Sequence, residues 1–188
     1  MRSSSIVLGA AVALGLAACG STPPPRPTAP SVPLVSTAKM AEANLSSASA
    51  SLVSGRLALV PDAQGVHITG VIGGLQPLQT AAFHVHERGD CSAVDASSAG
   101  GHFNPGAQPH GRNSAGAHHA GDMDNLRADA QGRANVDVRL PAVTLGGGAA
   151  TDIAGRALVV HANADDYRSQ PAGNAGARIA CGVIRVTR

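Results

Sequence analysis

Apolar residues from about Met40 to Arg188 do not recur at helical spacing. They come in short alternating runs. The clearest is Val66-His67-Ile68-Thr69-Gly70-Val71-Ile72. Val66, Ile68, Gly70 and Ile72 fall on one face; His67, Thr69 and Val71 fall on the other. Further strands are expected at Ala48–Val53, Gly55–Val60, Ala82–Glu87, around Leu126 (Asn125–Ala128), Ala134–Leu140, Arg156–His161 and Ile179–Thr187. Gly-bearing turns separate them, as in Asp62-Ala63-Gln64-Gly65 and Gly146-Gly147-Gly148. The pattern predicts an all-β domain, a sandwich or barrel of about eight short strands. Two stretches exceed simple turns: Gly89–Gly121 and Ala162–Ala177. Loops of that length in a compact domain are usually functional or disordered.

The first 40 residues follow another pattern. Arg2 precedes an apolar run from Ile6 to Ala18, 13 residues long. That is short of the roughly 20 a spanning helix needs, and it suits the apolar region of a secretory signal. The run ends Leu16-Ala17-Ala18-Cys19, which resembles a bacterial lipobox; residues 1–18 are then a signal peptide and Cys19 the lipidated first residue. Gly20, where an inner-membrane retention signal would be Asp, favours the outer membrane in a Gram-negative cell. Six of the 12 Pro lie between Ser21 and Pro33. Pro fixes φ and lacks an N–H, so residues 19–40 are expected to be an extended tether and 41–188 the folded domain. The expected address is the cell envelope, with membrane contact through the lipid alone.

Composition narrows the function. Charged residues make up 14% and the formal net charge is +2, without the basic stripe of a nucleic-acid binder. Aromatic residues are 2% of the chain, against eight His. Such a core must be built from Val, Leu, Ile and Ala, and the usual aromatic anchors of a subunit interface are missing, which favours a monomer over a homodimer. Of three Cys, lipidation would use Cys19 and leave Cys91 and Cys181, which an oxidising compartment would allow to pair.

The histidines carry the chemistry. His84 and His86 are two apart on a predicted strand, so both rings can reach one ion. His161 ends an apolar strand beside Asp165 and Asp166. The first long loop holds His102, His110, His118, His119 and Asp122. Three His and one Asp suit a closed tetrahedral Zn²⁺ site, which would order a Gly-rich loop that has little core of its own.

Five segments together resemble the copper/zinc superoxide dismutase family: Phe83-His84-Val85-His86-Glu87; Gly100-Gly101-His102-Phe103-Asn104-Pro105; His119-Ala120-Gly121-Asp122; Gly155-Arg156 through His161 to Asp166; and Gly173 through Ile184. The resemblance implies a Greek-key β-sandwich or barrel of about eight antiparallel strands, and copper ligands at His84, His86 and His161, with His102 bridging copper to zinc. It implies His110, His119 and Asp122 as the other zinc ligands. Asp165 would link His84 to His110, Arg178 would guide the anion, and Cys91–Cys181 would form a disulfide. The implied reaction is dismutation of superoxide to oxygen and hydrogen peroxide, with catalytic roles for Arg178 and His102. A copper/zinc-binding envelope lipoprotein without turnover is the main alternative. A structural domain stapled by metal is another, but it would need neither Arg178 nor Asp165. Asp124 stands where the family usually has Gly. The loop 162–177 is short and holds one basic residue, Arg168, so weaker steering is expected. His67 is expected on the exposed face and His118 to be a spectator; the sequence does not decide what Tyr167 does.

Overall fold

The alternating run around residues 54–73 folds into a hairpin, and the rest of the sheet grows from it. The computed structural model describes residues 35–188. Along the chain come β1 (Ala41–Ser47), β2 (Ser54–Asp62), β3 (Gly65–Gly73), β4 (Thr80–Ala81), β5 (Phe83–His86), β6 (Leu126–Arg127), β7 (Ala134–Pro141), β8 (Ala157–His161) and β9 (Arg178–Val186). β2 and β3 pair from Ser54↔Gly73 to Asp62↔Gly65. The main sheet runs β5-β8-β9-β1-β2-β3-β7, all antiparallel, and β4 and β6 form a small second sheet. β1, β2 and β3 make a meander. β7 returns beside β3, while β8 and β9 close the space between β5 and β1. The sheet curls around Leu57, Leu59, Ile68, Ile72, Leu140 and Ile184, all fully buried, so the core is aliphatic as the composition demands.

One expected strand is absent. Residues 48–53 form no strand, because Ser49 and Ala50 take left-handed backbone (φ 51° and 56°) and break the run. The first strand is instead Ala41–Ser47, whose inward face is Ala41, Ala43 and Leu45. Alanine at two of three inward positions gave little contrast to read. The described residues hold nine strands where about eight are expected; the addition is β4, a two-residue piece that pairs with the short strand expected around Leu126, β6.

Ser36 to Met40, expected in the tether, bond to the β-domain. Leu145 N–H donates to Ser36 Oγ, Thr37 and Ala38 N–H donate to Leu145 O, and Lys39 and Met40 N–H donate to Arg188 O. The segment read as an export signal, Cys19 and the Pro-rich stretch to Pro33 lie outside the described residues.

β5 and β8 differ from the other strands in being buried on both faces. Phe83, Val85, Leu158 and Val160 join the main core. The opposite face carries His84, His86, Val159 and His161, with His84 directly across from Val159. The two long loops cover that face. Cys91 and Cys181 are joined by a disulfide, 90 positions apart in sequence. With Ala48, Ala96, Ala99, Ala157 and Val159 they make a small second core under the first loop.

Candidate metal centre

Backbone pairing carries the loop histidines to the strand histidines. The first long loop docks twice along the free edge of β5. Phe103 N–H donates to Val85 O, Val85 N–H to Gly121 O, Gly121 N–H to Phe103 O, and Glu87 N–H to Gly101 O. His102 thereby stands across from His86, and Asp122 from His84. Gly121 is required here: a Cβ would run into the Val85 carbonyl and the Phe103 backbone. The result is two sets of possible ligands, His84/His86/His102/His161 and His102/His110/His119/Asp122. Within each set one ligand atom per residue lies within 4.8 Å of the others, and His102 belongs to both.

The hydrogen bonds decide which nitrogen of each ring is free. His84 Nε2 sits 2.8 Å from Asp165 Oδ2, and His110 Nε2 sits 2.9 Å from Asp165 Oδ1. A carboxylate only accepts, so both rings carry their proton on Nε2 and turn the Nδ1 lone pair inward. His86 Nδ1 faces Gly100 O at 3.0 Å and His161 Nδ1 faces Gly176 O at 3.3 Å, which leaves their two Nε2 atoms 3.3 Å apart and facing each other. Asp122 Oδ1 lies 2.9 Å from His102 Nδ1, 3.1 Å from His110 Nδ1 and 3.3 Å from His119 Nδ1. His84 Nδ1, His102 Nε2 and His110 Nδ1 are buried without an aligned hydrogen-bond partner among the described residues. For His110 Nδ1 the Asp122 oxygen is close but off line. Buried lone pairs left unsatisfied are costly, and convergent ones are what a metal ion would satisfy. The donors therefore fit an all-imidazole site beside a three-imidazole, one-carboxylate site. Four imidazoles can take copper among other imidazole-binding metals, and three imidazoles with a carboxylate can take zinc.

Charge supports the same division. Burial, and the neighbouring His102, push His86 down to about 2. Burial, helped by His84, pushes His161 to about 3. Burial outweighs the Asp122 hydrogen bond and leaves His102 at about 4. These rings are neutral at pH 7, the form that binds a metal. His110 behaves oppositely. Burial lowers it, but Asp122 and Asp165 together raise it to about 9, so the metal-free ring carries a second proton at Nδ1 that a metal ion would displace. Burial works against the ionised form of Asp122, but the hydrogen-bonded His102 ring, the nearby His110 and His119 rings and Gly111 N–H hold its carboxyl far below the usual range.

Arg178 stands at the mouth. Its guanidinium donates to Ala96 O (2.7 Å) and Gly100 O (2.6 Å), and Gly100 O also faces His86. Both carbonyls belong to the loop that the disulfide ties to β9. Arg178, His86, His102, His161, Asn174 and Gln170 line a cavity of about 500 Å³.

The sequence profile described as copper/zinc superoxide dismutase (SODC) matches residues 53–184, most of the β-domain. The chain belongs to that family. Superoxide dismutase [Cu-Zn] 2 of Aquifex aeolicus is 47% identical over 136 residues, 71% of this chain and 80% of the relative. Superoxide dismutase-like protein YojM of Bacillus subtilis is 36% identical over 178 residues, 92% of this chain and 91% of the relative. The crystal structure of a SOD-like protein from Bacillus subtilis superposes with a TM-score of 0.68 at 36% identity, over 75% of this chain and 95% of that one. The clock protein EA4 gives 0.71 at 37% identity, over 81% and 98%.

The structure brings together every ligand position of this superoxide dismutase family chain named from sequence. His118 stays outside both sets, its Nδ1 2.7 Å from His119 O. His67 is on the outer face, 2.6 Å from Asp137. Sequence reasoning missed Gln170, whose amide accepts from His110 N–H (2.8 Å) and donates to His110 O (2.9 Å), clamping a ligand's backbone from the second loop. It also missed Asn125, whose amide pairs with the Asp165 backbone from both sides, at 2.8 and 3.0 Å. Neither lies in a spacing pattern; only the meeting of two distant loops reveals them.

Proposed function

We propose that the chain dismutates superoxide to oxygen and hydrogen peroxide at a copper ion held by His84, His86, His102 and His161, beside a zinc ion held by His102, His110, His119 and Asp122. The observation that carries this reading is His102. Its Nδ1 lies in the carboxylate-containing set and its partnerless Nε2 in the all-imidazole set. Copper, when bound, supplies the alternating one-electron oxidation and reduction that the reaction requires.

The chain's own residues do the rest. Arg178 offers a fixed positive charge at the cavity, and its two carbonyl partners hold it in one orientation. A small anion entering there meets this guanidinium beside the His86 and His161 rings. His102 lines the same cavity, and its Nε2 can hold a proton when free and hand it to the product anion. Asp165 keeps His84 and His110 in the tautomer that presents Nδ1, and so joins the two halves of the site. The same proposal places the protein in the cell envelope, exported by its signal segment and tethered by lipid on Cys19.

The competing reading is a protein that stores copper and zinc without turnover. Arg178 argues against it, since storage needs no cation at the mouth. The test is metal titration of the full chain followed by superoxide consumption. One copper and one zinc per chain, with turnover lost in His161→Ala, is the expected result. Stoichiometric binding without turnover above free copper would leave the storage reading.

A further inference from the structure

Three of the site residues have a neighbour two positions later that joins one cluster beside the zinc-side ligands. His110 is followed by Arg112, Asp122 by Asp124, and Asp165 by Tyr167. Arg112 Nε donates to Asp124 Oδ1 at 2.9 Å. The Arg112 guanidinium lies over the Tyr167 ring, 4.9 Å from its centroid. The Tyr167 hydroxyl accepts from Asn125 N–H at 2.9 Å. Tyr167 N–H in turn donates to Asp165 Oδ1 at 2.6 Å, the same oxygen that faces His110. Tyr167 holds left-handed backbone (φ 59°), a conformation that a bulky residue adopts only where its surroundings enforce it.

We propose that Arg112, Asp124 and Tyr167 form a clasp that positions Asp165 between His84 and His110, and that this chain's zinc affinity depends on it. The Tyr167 side chain, with the guanidinium over its ring and the Asn125 backbone N–H on its hydroxyl, fixes the turn that aims Tyr167 N–H at the carboxylate. With that hydrogen bond made, Asp165 Oδ1 stays on His110 Nε2, and His110 keeps Nδ1 turned inward. Asp124, a departure from the family pattern in sequence, thereby acquires a role: it orients Arg112 over the ring. Tyr167 and Arg112 are positioning residues and touch neither substrate nor metal.

The proposal rests on the zinc set proposed above, and its test is independent of turnover. The probe is zinc alone, competed against a chromophoric chelator with the full chain, beside the visible spectrum after copper loading. Groups that orient metal ligands typically contribute about 10- to 100-fold in affinity. Tyr167→Ala is expected to weaken zinc by about that factor, and Tyr167→Phe, which keeps the ring and loses the hydroxyl, by less. Arg112→Ala is expected to weaken zinc in the wild-type background and to add nothing in the Tyr167→Ala background, because the clasp acts as one unit. Arg112 is exposed, so its variant is not expected to unfold the chain. The proposal is overturned if these variants bind zinc as wild type does, or if they lower metal-free stability with zinc affinity unchanged. It is also overturned if the two losses add. A loaded wild type that binds zinc but does not consume superoxide would contradict the dismutase reading alone.

Discussion

Arg178 has two of its five N–H groups committed to Ala96 O and Gly100 O, which fixes the guanidinium and leaves its remaining N–H groups for an anion. A charged hydrogen bond is worth about 1.5–3 kcal/mol, or roughly 10- to 150-fold in rate. Arg178→Ala is expected to lower the second-order rate by that range with metal content unchanged. Arg178→Lys should recover part of it, since it keeps the charge and loses the fork. A wild-type rate in Arg178→Ala, measured by superoxide decay, would remove this residue from the account. The ligand rings give a second prediction, for the metal-free protein. His86, His161 and His102 are lowered from 6.5 to about 2, 3 and 4. Below pH 6.5 the unfolded chain takes up protons these buried rings refuse, so their stabilisation is lost as pH falls. His110, raised to about 9, contributes fully below pH 6.5 and loses that contribution as pH rises towards 9. Thermal melts of the metal-free protein should therefore peak near neutral pH. A midpoint rising steadily from about pH 5 to 9 would contradict the assignment.

Among the elements, the two loops matter more than the strands. The disulfide ties the loop carrying Ala96 and Gly100 to β9, which carries Arg178. Removing a native disulfide from a domain of this kind typically costs about 2–5 kcal/mol. Cys181→Ser is expected to lose that much by chemical denaturation and also to slow superoxide consumption, because both partners of Arg178 move with the loop. Equal stability in reduced and oxidised protein would show the link to be incidental. In the second loop, Gly173 takes left-handed backbone (φ 63°), and a Cβ there would strike the Asp165 carboxylate and the His110 ring. Gly173→Ala should weaken zinc by displacing Asp165 and the His110 ring while leaving every ligand residue in the sequence, measured by competition with a chelator. These contacts also mark where sequence legibility stops. The ligands were legible because spacing on a strand fixes a shared face, as for His84 and His86, and because family motifs surround the rest. β3 was legible from strict alternation. β1 was not, because alanine marks an inward position weakly, and Ser49–Ala50 break the expected neighbouring strand through backbone conformation. Gln170, Asn125 and the Tyr167 clasp were illegible because each acts on a residue some 40 to 60 positions away.

For the molecule as a whole, the aliphatic sheet serves as a wall, and the chemistry sits on its outer face under loops that have little apolar surface to bury. The disulfide and the Asp165 carboxylate bridge hold those loops, and the proposed metal ions would add to them, where a larger second core would otherwise be needed. The formal net charge is +2, and Arg178 lines the cavity. Steering of an anion, for which superoxide dismutases are a standing example, should therefore be present but modest. The rate should fall about two- to threefold between low and physiological ionic strength, and a flat response would remove steering from the account. Redox turnover at a site built around His102 underlies each of these expectations. It is tested most directly by following superoxide decay with the copper- and zinc-loaded full chain while measuring oxygen and hydrogen peroxide together. The account predicts catalytic decay in which two superoxide anions yield one oxygen and one peroxide, far above the metal-free chain. Decay that stops after one equivalent per copper, or that matches free copper alone, would contradict it.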